Sequence, residues 1–253
     1  MNKAAQGVVM LLVGGAALRT GMTDLYLRYI KEGVRPFLIA AGVFLVVIAI
    51  ATLIPEFVGK DDAEEPAPGC HDAGDADHDP AKAAGNGAHG APGVSWLLIL
   101  PVLALLLLAP PALGADAAGR SGTALAVGET SDFPPLPKGD PAKISVLDYA
   151  SRAVFDKGAS LKQRRVELSG FVMVDKEGRR YLARMILSCC AADGRPIKVA
   201  LDGDVPEFDQ GAWVRVIGRH NKKVVKDDIN GETIPYLTVD AIDPIKTPKR
   251  QYE

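Results

Sequence analysis

Two long stretches without a charged residue constrain this chain of 253 residues more than any other feature. They are residues 37–54 (FLIAAGVFLVVIAIATLI) and 94–113 (VSWLLILPVLALLLLAPPAL). A helix rises about 1.5 Å per residue and the hydrocarbon core of a bilayer is about 30 Å thick, so each stretch is long enough to cross. A soluble chain of this size has no core that could bury such helices on every face. The sequence therefore predicts an integral membrane protein.

A further apolar segment lies at the N-terminus. Residues 4–18 are uncharged and end at Arg19, whose long side chain can reach lipid headgroups. A signal peptide would also fit a charged flank such as Lys3, but no small-residue cleavage site follows cleanly. We therefore predict three transmembrane helices, the first two within residues 1–58 and the third at 94–113. Small residues in the first two would allow close helix contact; they are Gly7, Gly14, Gly15, Ala40, Ala41 and Gly42.

The distribution of charge predicts the orientation of these helices. Residues 56–90 hold two cations against nine acids, whereas the loop between the first two apolar segments is rich in cations. The cations of that loop are Arg19, Arg28, Lys31 and Arg35. The positive-inside rule places this loop, and with it the C-terminal half, in the cytoplasm. We expect a multi-pass protein of the cell membrane, in contact with lipid.

The acidic loop at residues 59–93 contains three of the four histidines and one of the three cysteines. Its Gly, Ala, Pro and acid composition cannot form a core, so we expect a flexible segment. Imidazole and thiolate are the usual ligands of zinc, and a negative loop raises the local cation concentration. The candidate ligands are Cys70, His71, His78 and His89. A solvated linker without any metal is the alternative.

The C-terminal half is predicted to consist of a linker at 114–143 followed by a soluble domain at 144–253. Ser145 and Asp148 indicate the start of a helix, and Gly158 its end. After the helix the apolar period changes from helical to alternating, with glycines at each break. The predicted strands are residues 165–174, 179–189, 196–201, 212–220 and 236–242. Five short strands after one helix predict a small closed barrel of OB type.

A nucleic-acid function is not expected of this barrel. Residues 120–253 carry 22 cations against 19 acids, which is only a slight positive excess. Their aromatic residues are scattered, whereas single-strand binders place stacked aromatics along a positive groove. We therefore predict no nucleic-acid partner.

The sharpest local feature of the domain is the pair Cys189 and Cys190, with Asp193 close behind. Neighbours in a strand point to opposite faces, so we expect one cysteine to enter the barrel and the other to face outward or into the turn. The pair could pack, hold a soft metal, or take part in redox chemistry. An enzyme site would lack a nearby base, because His220 is the only histidine of the domain.

The order of these features resembles the YcgQ-like family of uncharacterised bacterial membrane proteins, which are also described as permease-subunit proteins. The similarity covers nearly the whole chain, including the LYLRY-K-G-RP loop at 25–36, the WLL-LP start of the third span at 96–101 and the PPALG exit. Its most specific element is the Cys-Cys-x-x-Asp turn, because the ISCC-AD type motif of the family corresponds here to residues 186–193. The acidic loop departs from the family, whose members tend toward denser histidine runs.

The resemblance implies a non-enzymatic accessory subunit of a separate polytopic membrane permease, associated with zinc homeostasis. Together with the residues themselves, it makes zinc the expected ion. The candidate metal ligands are Cys70, His71, His78, His89, Cys189, Cys190 and Asp193. The main alternative is a membrane-tethered thiol redox protein that uses Cys189 and Cys190. A purely structural scaffold is the third.

Overall fold

The computed structural model describes residues 3–58, 111–125 and 133–253. The chain divides into two compact units. The first comprises Met1–Met22 and Pro36–Pro110, and the second comprises Thr23–Arg35 and Pro111–Glu253. The short loop that joins the first two helices therefore belongs to the same unit as the C-terminal half.

The first unit contains two long helices, α1 (Lys3–Met22) and α2 (Arg35–Val58). The segment Glu32–Pro55 is apolar and long enough to cross a membrane, with a mean hydropathy of 3.0. The apolar part of α1, Gln6–Met22, is shorter. One candidate membrane helix is thus found among the described residues. The predicted third span is described only from residue 111 onward, and the number of three helices stays a prediction.

Helices α1 and α2 pack through a row of glycines. Gly7, Gly14 and Gly21 are buried and recur every seven residues, which places them on one face of α1. A methyl group at Gly14 would lie 2.9 Å from Cγ2 of Val46 and 3.1 Å from the carbonyl oxygen of Gly42. The predicted close contact therefore forms at Gly7, Gly14 and Gly42. The other small residues singled out by the sequence are exposed; they are Gly15, Ala40 and Ala41.

We expect Gly14→Ile to loosen this helix pair and Gly15→Ile to leave it intact. The isoleucine at position 14 would overlap Val46 and the backbone of α2, and such overpacking costs about 1–3 kcal/mol. A Cβ atom at position 15 would meet no neighbouring side chain or helix within 4 Å. Thermal unfolding of the full chain in detergent should show a lower midpoint for the first variant alone. Equal midpoints for the two variants would contradict the observed packing.

The second unit is built around a barrel of five strands. A short helix α3 (Ala115–Gly119), a two-residue strand β1 (Ala142–Lys143) and helix α4 (Val146–Phe155) precede it. The barrel strands are β2 (Val166–Val174), β3 (Arg180–Ile186), β4 (Arg195–Asp202), β5 (Trp213–Lys226) and β6 (Thr233–Pro244). They are ordered β2-β3-β4-β6-β5, and the pairing of β5 with β2 closes the barrel. The predicted five-stranded barrel with a preceding helix is confirmed.

Two glycines allow the strands to close. Strand β2 pairs with β5 up to Phe171 and with β3 from Phe171 onward, so the strand changes partners directly after Gly170. A side chain at Gly170 would collide with the carbonyl oxygen of Ala183. Gly218 lies at a register shift between β5 and β6. Glycine within a strand is typical of such bulges and bends.

Helix α4 packs on the barrel and contributes to its core. The Ser145 hydroxyl accepts a hydrogen bond from the Asp148 N–H at 2.9 Å, which confirms the predicted start of the helix. Val146, Tyr149 and Ala150 are fully buried, and the Tyr149 hydroxyl donates to a carbonyl oxygen of β6. Gly158 adopts a φ of 77° just after the helix, a conformation that glycine tolerates best.

Part of the predicted linker at 114–143 is bound to the barrel. Thr123 is buried, and its N–H donates to the Asp227 carboxylate at 2.8 Å. Its hydroxyl accepts from the Lys198 N–H at 3.1 Å, and its carbonyl accepts from the Asn230 side chain at 2.9 Å. All the polar groups of this residue are satisfied by the barrel, so the chain around Thr123 is not a free tether.

Candidate metal site

The two adjacent cysteines lie in a turn that follows strand β3. The strand ends at Ile186, and Leu187 is the last side chain that enters the core. Cys189 is exposed and Cys190 is half-buried, at the start of the short 3-10 helix Ala191–Asp193. The expectation that one cysteine enters the barrel is therefore wrong. The alternation of the strand ends before the cysteines, because the backbone of residues 188–190 bends to donate hydrogen bonds to the Asp193 carboxylate.

Asp193 organises this turn through its carboxylate. Oδ1 accepts a hydrogen bond from the Ser188 N–H at 2.9 Å. Oδ2 accepts from the Cys189 N–H at 2.8 Å and from the Cys190 N–H at 3.3 Å. Three consecutive backbone donors thus converge on one carboxylate. This arrangement folds the chain back and brings both thiols to the side of the acid.

The geometry places three metal-binding groups together. The Sγ atoms of Cys189 and Cys190 and a carboxylate oxygen of Asp193 all lie within 4.8 Å of one another. In a tetrahedral zinc site with bonds of about 2.3 Å to sulfur, the ligand atoms lie roughly 3.8 Å apart. The three groups are therefore close enough to bind one ion together. Two sulfurs and one oxygen leave a fourth position open, which is typical of sites that exchange ligands rather than of closed structural sites.

The carboxylate and the thiol of this turn influence each other's protonation. Hydrogen bonds from the Cys189 side chain and from its backbone N–H lower the pKa of Asp193 to about 2. In return, the hydrogen bond to Asp193, followed by that to Cys190, raises the pKa of Cys189 to about 11. At neutral pH the acid is ionised and the Cys189 thiol is protonated. A thiophilic ion would bind by replacing the thiol proton, so its affinity should rise with pH.

The same electrostatics oppose the redox alternative. A reactive thiol needs a lowered pKa, usually from a nearby cation or the N-terminus of a helix. Cys189 instead lies beside an ionised carboxylate, which disfavours its thiolate. The ring of His220 packs beside Tyr149 on α4, with the ring centroids 6.4 Å apart. It is absent from the metal-binding groups found among the described residues.

The structure also contains a cluster of three acidic side chains that was not predicted from the sequence. Carboxylate oxygens of Asp175, Glu177 and Asp228 lie within 4.8 Å of one another. However, the Arg179 guanidinium contacts all three, at 2.6, 3.2 and 3.3 Å. One guanidinium already bridges the three carboxylates, so the cluster is better explained as an ion-pair network than as a metal site.

The loop between α1 and α2 contacts the cysteine turn directly. Ile30 forms an antiparallel β-bridge with Cys190. The Ala191 N–H donates to the Tyr29 carbonyl at 2.6 Å, and the Lys31 N–H donates to the Cys189 carbonyl at 3.1 Å. Sequence reasoning missed this contact. These residues belong to the LYLRY-K-G-RP segment that carries the family resemblance, but nothing in that pattern indicates its partner.

The other predicted ligands cannot be placed. Cys70, His71, His78 and His89 lie outside the described residues. Of the predicted set, the structure brings together Cys189, Cys190 and Asp193.

Comparison with known proteins finds a family match for part of the chain. A DUF1980 C-terminal domain, which represents an uncharacterised family, is found at residues 152–253. This match covers the barrel and includes the cysteine turn. No curated protein matches the chain. No solved structure matches it either.

Proposed function

We propose that this protein is a non-catalytic accessory subunit of a membrane permease that handles zinc or a similar thiophilic divalent cation. The observation that carries the proposal is the convergence of Cys189, Cys190 and Asp193 within 4.8 Å in an exposed turn. Thiolate and carboxylate ligands suit zinc, and the exposure of Cys189 leaves the turn open to an arriving ion.

The hydrogen bonds of the turn suggest how the ion is taken up. Asp193 Oδ1 accepts one of the backbone hydrogen bonds and Oδ2 accepts two, so Oδ1 has one lone pair that no backbone donor of the turn uses. The thiol of Cys189 gives up its proton when the ion arrives. The carboxylate, freed from that thiol, then becomes a ligand while it still holds the backbone of the turn.

The three-helix topology forms part of the proposal, and the fold supports it. The α1–α2 loop and the barrel share one compact unit, so they lie on the same side of any membrane. If α2 crosses, the chain must cross back before Pro111. Between α2 and Pro111 the sequence offers one uncharged stretch of sufficient length, which begins at residue 94. The cations of the loop then place the barrel in the cytoplasm.

The outer face of α2 supports a partner within the membrane. Phe37 and Phe44 are 73% and 66% exposed, and Val47, Ile50 and Ile54 are also exposed. Among the described residues, α1 leaves these side chains uncovered, so lipid, the proposed third span or the helices of a permease can contact them. Contact with a permease agrees with the accessory role that the family resemblance implies.

We expect calorimetric titration of the purified full chain with zinc to detect a site that the double variant Cys189→Ser/Cys190→Ser lacks. Because each thiol must lose its proton to bind the ion, the affinity should rise about tenfold per pH unit for each thiol proton that is released. Deletion of residues 61–90 separates the turn from any contribution of the acidic loop.

The control is the substitution of one exposed acid elsewhere on the barrel, Asp204→Asn, which lies outside the turn. Zinc binding that survives the loss of both cysteines and disappears with the loop deletion would overturn the proposed site. Absence of binding by every variant, the wild type included, would overturn the metal role itself.

A further inference from the structure

The loop Thr23–Arg35 is bound tightly to the C-terminal unit, and we refer to it as the strap. Two hydrogen bonds flank the bridge between Ile30 and Cys190, one from the Ala191 N–H and one to the Cys189 carbonyl. The peptide groups of the strap therefore pair with those that carry the candidate metal ligands. Any change in the turn acts on the strap without an intervening side chain.

Residues 249–253 hold the strap from a second side. The Tyr252 hydroxyl donates to the Arg28 carbonyl at 2.7 Å. Arg250 forms an ion pair with Glu32 at 2.8 Å, and Lys249 forms one with Asp24 at 3.1 Å. The strap is thus clamped between two parts of the barrel unit rather than lying loosely on its surface.

The strap is also short and largely folded. It contains two short 3-10 helices, Asp24–Arg28 and Glu32–Val34, and the ring of Tyr26 is buried beneath the guanidinium of Arg35 at 5.2 Å. Helix α1 ends at Met22 and helix α2 begins at Arg35. Ile30 is therefore joined to both helices by short, folded segments.

We infer that the strap transmits metal occupancy of the Cys189–Asp193 turn to helices α1 and α2. This inference rests on the proposed function. Chelation holds the two sulfur atoms and the carboxylate oxygen, which lie within 4.8 Å of one another, around one ion at separations of roughly 3.8 Å. The ion restrains the backbone between Cys189 and Ala191, and it thereby restrains the two hydrogen bonds to the strap. The accessory subunit thereby signals to its membrane helices whether an ion is held.

Lys31 offers a way to break this connection without touching the metal ligands. Its φ of −63° and ψ of 141° are values that proline adopts without strain. Lys31→Pro removes the N–H that bonds the Cys189 carbonyl and leaves the strap conformation intact. Lys31→Ala removes the same side chain but keeps the N–H, so it is the matched control.

The test is hydrogen exchange of the full chain in lipid nanodiscs, with and without zinc, alongside a zinc titration of each variant. In the wild type and in Lys31→Ala, zinc should slow exchange of the strap amides about tenfold, because ion binding suppresses local opening. Lys31→Pro should bind zinc with an affinity within about twofold of the wild type, and its strap should lose this response. The double variant Cys189→Ser/Cys190→Ser should show neither binding nor response.

The two measurements separate the possible failures. Zinc binding to the wild type without any slowing of strap exchange would overturn the transmission and leave the metal site standing. An undiminished response in Lys31→Pro would also overturn it, because the bond at Cys189 would then be dispensable. A wild type that does not bind zinc would overturn both the proposed function and this inference.

Discussion

Replacing Asp227 by asparagine is expected to destabilise the barrel by about 3–5 kcal/mol, the cost of leaving a buried charge without its partner. Asp227 forms an ion pair with Lys198 at 2.9 Å, and the two side chains are only 2% and 8% exposed. The carboxylate also accepts hydrogen bonds from the N–H groups of Thr123 and Ile229. An asparagine at this position can still accept part of these backbone hydrogen bonds, but it cannot balance the positive charge of Lys198.

A double variant separates the charge from the hydrogen bonds. Lys198→Met together with Asp227→Asn removes both ions from the interior, and replacing a buried pair by neutral groups is often close to neutral. We expect the double variant to recover at least about 2 kcal/mol relative to Asp227→Asn alone. A double variant that is less stable than either single variant would show that the pair itself stabilises the fold.

Unfolding can be followed at the barrel in the full chain. The sequence contains two tryptophans, and Trp96→Phe leaves Trp213 as the reporter. The indole of Trp213 packs edge-on against Phe171, with the ring centroids 5.8 Å apart, and lies 5.0 Å from the guanidinium of Arg184. Loss of these contacts in denaturant changes its fluorescence.

The destabilisation caused by Asp227→Asn should depend on pH, because it depends on the charge of the Asp227 carboxylate. Burial alone would raise the pKa of Asp227, but hydrogen bonds from the Ile229 N–H, the Lys198 ammonium and the Thr123 N–H together lower it below its usual value. A lowered folded pKa stabilises the protein above the unfolded pKa of about 3.9, and this contribution is lost as the pH falls through the folded pKa. The difference between the wild type and Asp227→Asn should therefore shrink below about pH 4.

The sequence predicts most of the barrel because its signals are local. Alternating apolar residues define the strands, and Ser145 and Gly158 mark the ends of helix α4. Gly170 and Gly218 indicate where strands bend, since a side chain at either would collide with backbone of a neighbouring strand. Each of these features is decided within a few residues of the chain.

The candidate site is predicted only in part, because it depends on contacts between distant residues. The ligand types and their spacing identify Cys189, Cys190 and Asp193, but strand alternation gives the wrong orientation for the cysteines. Their true positions depend on three backbone hydrogen bonds to Asp193, which no periodicity reveals. The strap pairs residues about 160 positions apart through backbone groups, which carry no side-chain signature.

The thiol of Cys189 should become more reactive when Asp193 is replaced by asparagine. The hydrogen bond to the carboxylate is the main cause of the raised pKa of about 11. At pH 7 such a thiol is ionised in about 1 molecule in 10,000, whereas a pKa near 9 would give about 1 in 100. The gain of about 100-fold in thiolate is offset about eightfold by the lower nucleophilicity of a less basic thiolate, so the net rate should rise about tenfold.

The measurement is the rate of disulfide exchange with an aromatic disulfide in a chain carrying Cys70→Ser and Cys190→Ser, so that Cys189 is the only thiol. Asp204→Asn in the same background is the control, because that exposed acid lies outside the turn. Asparagine at position 193 also loosens the turn, and loosening alone would raise the rate equally at every pH. A lowered pKa instead moves the midpoint of the pH profile downward. If the midpoint stays in place, the carboxylate does not hold the thiol in its protonated form, and the exchange of a thiol proton for a metal ion loses its electrostatic basis.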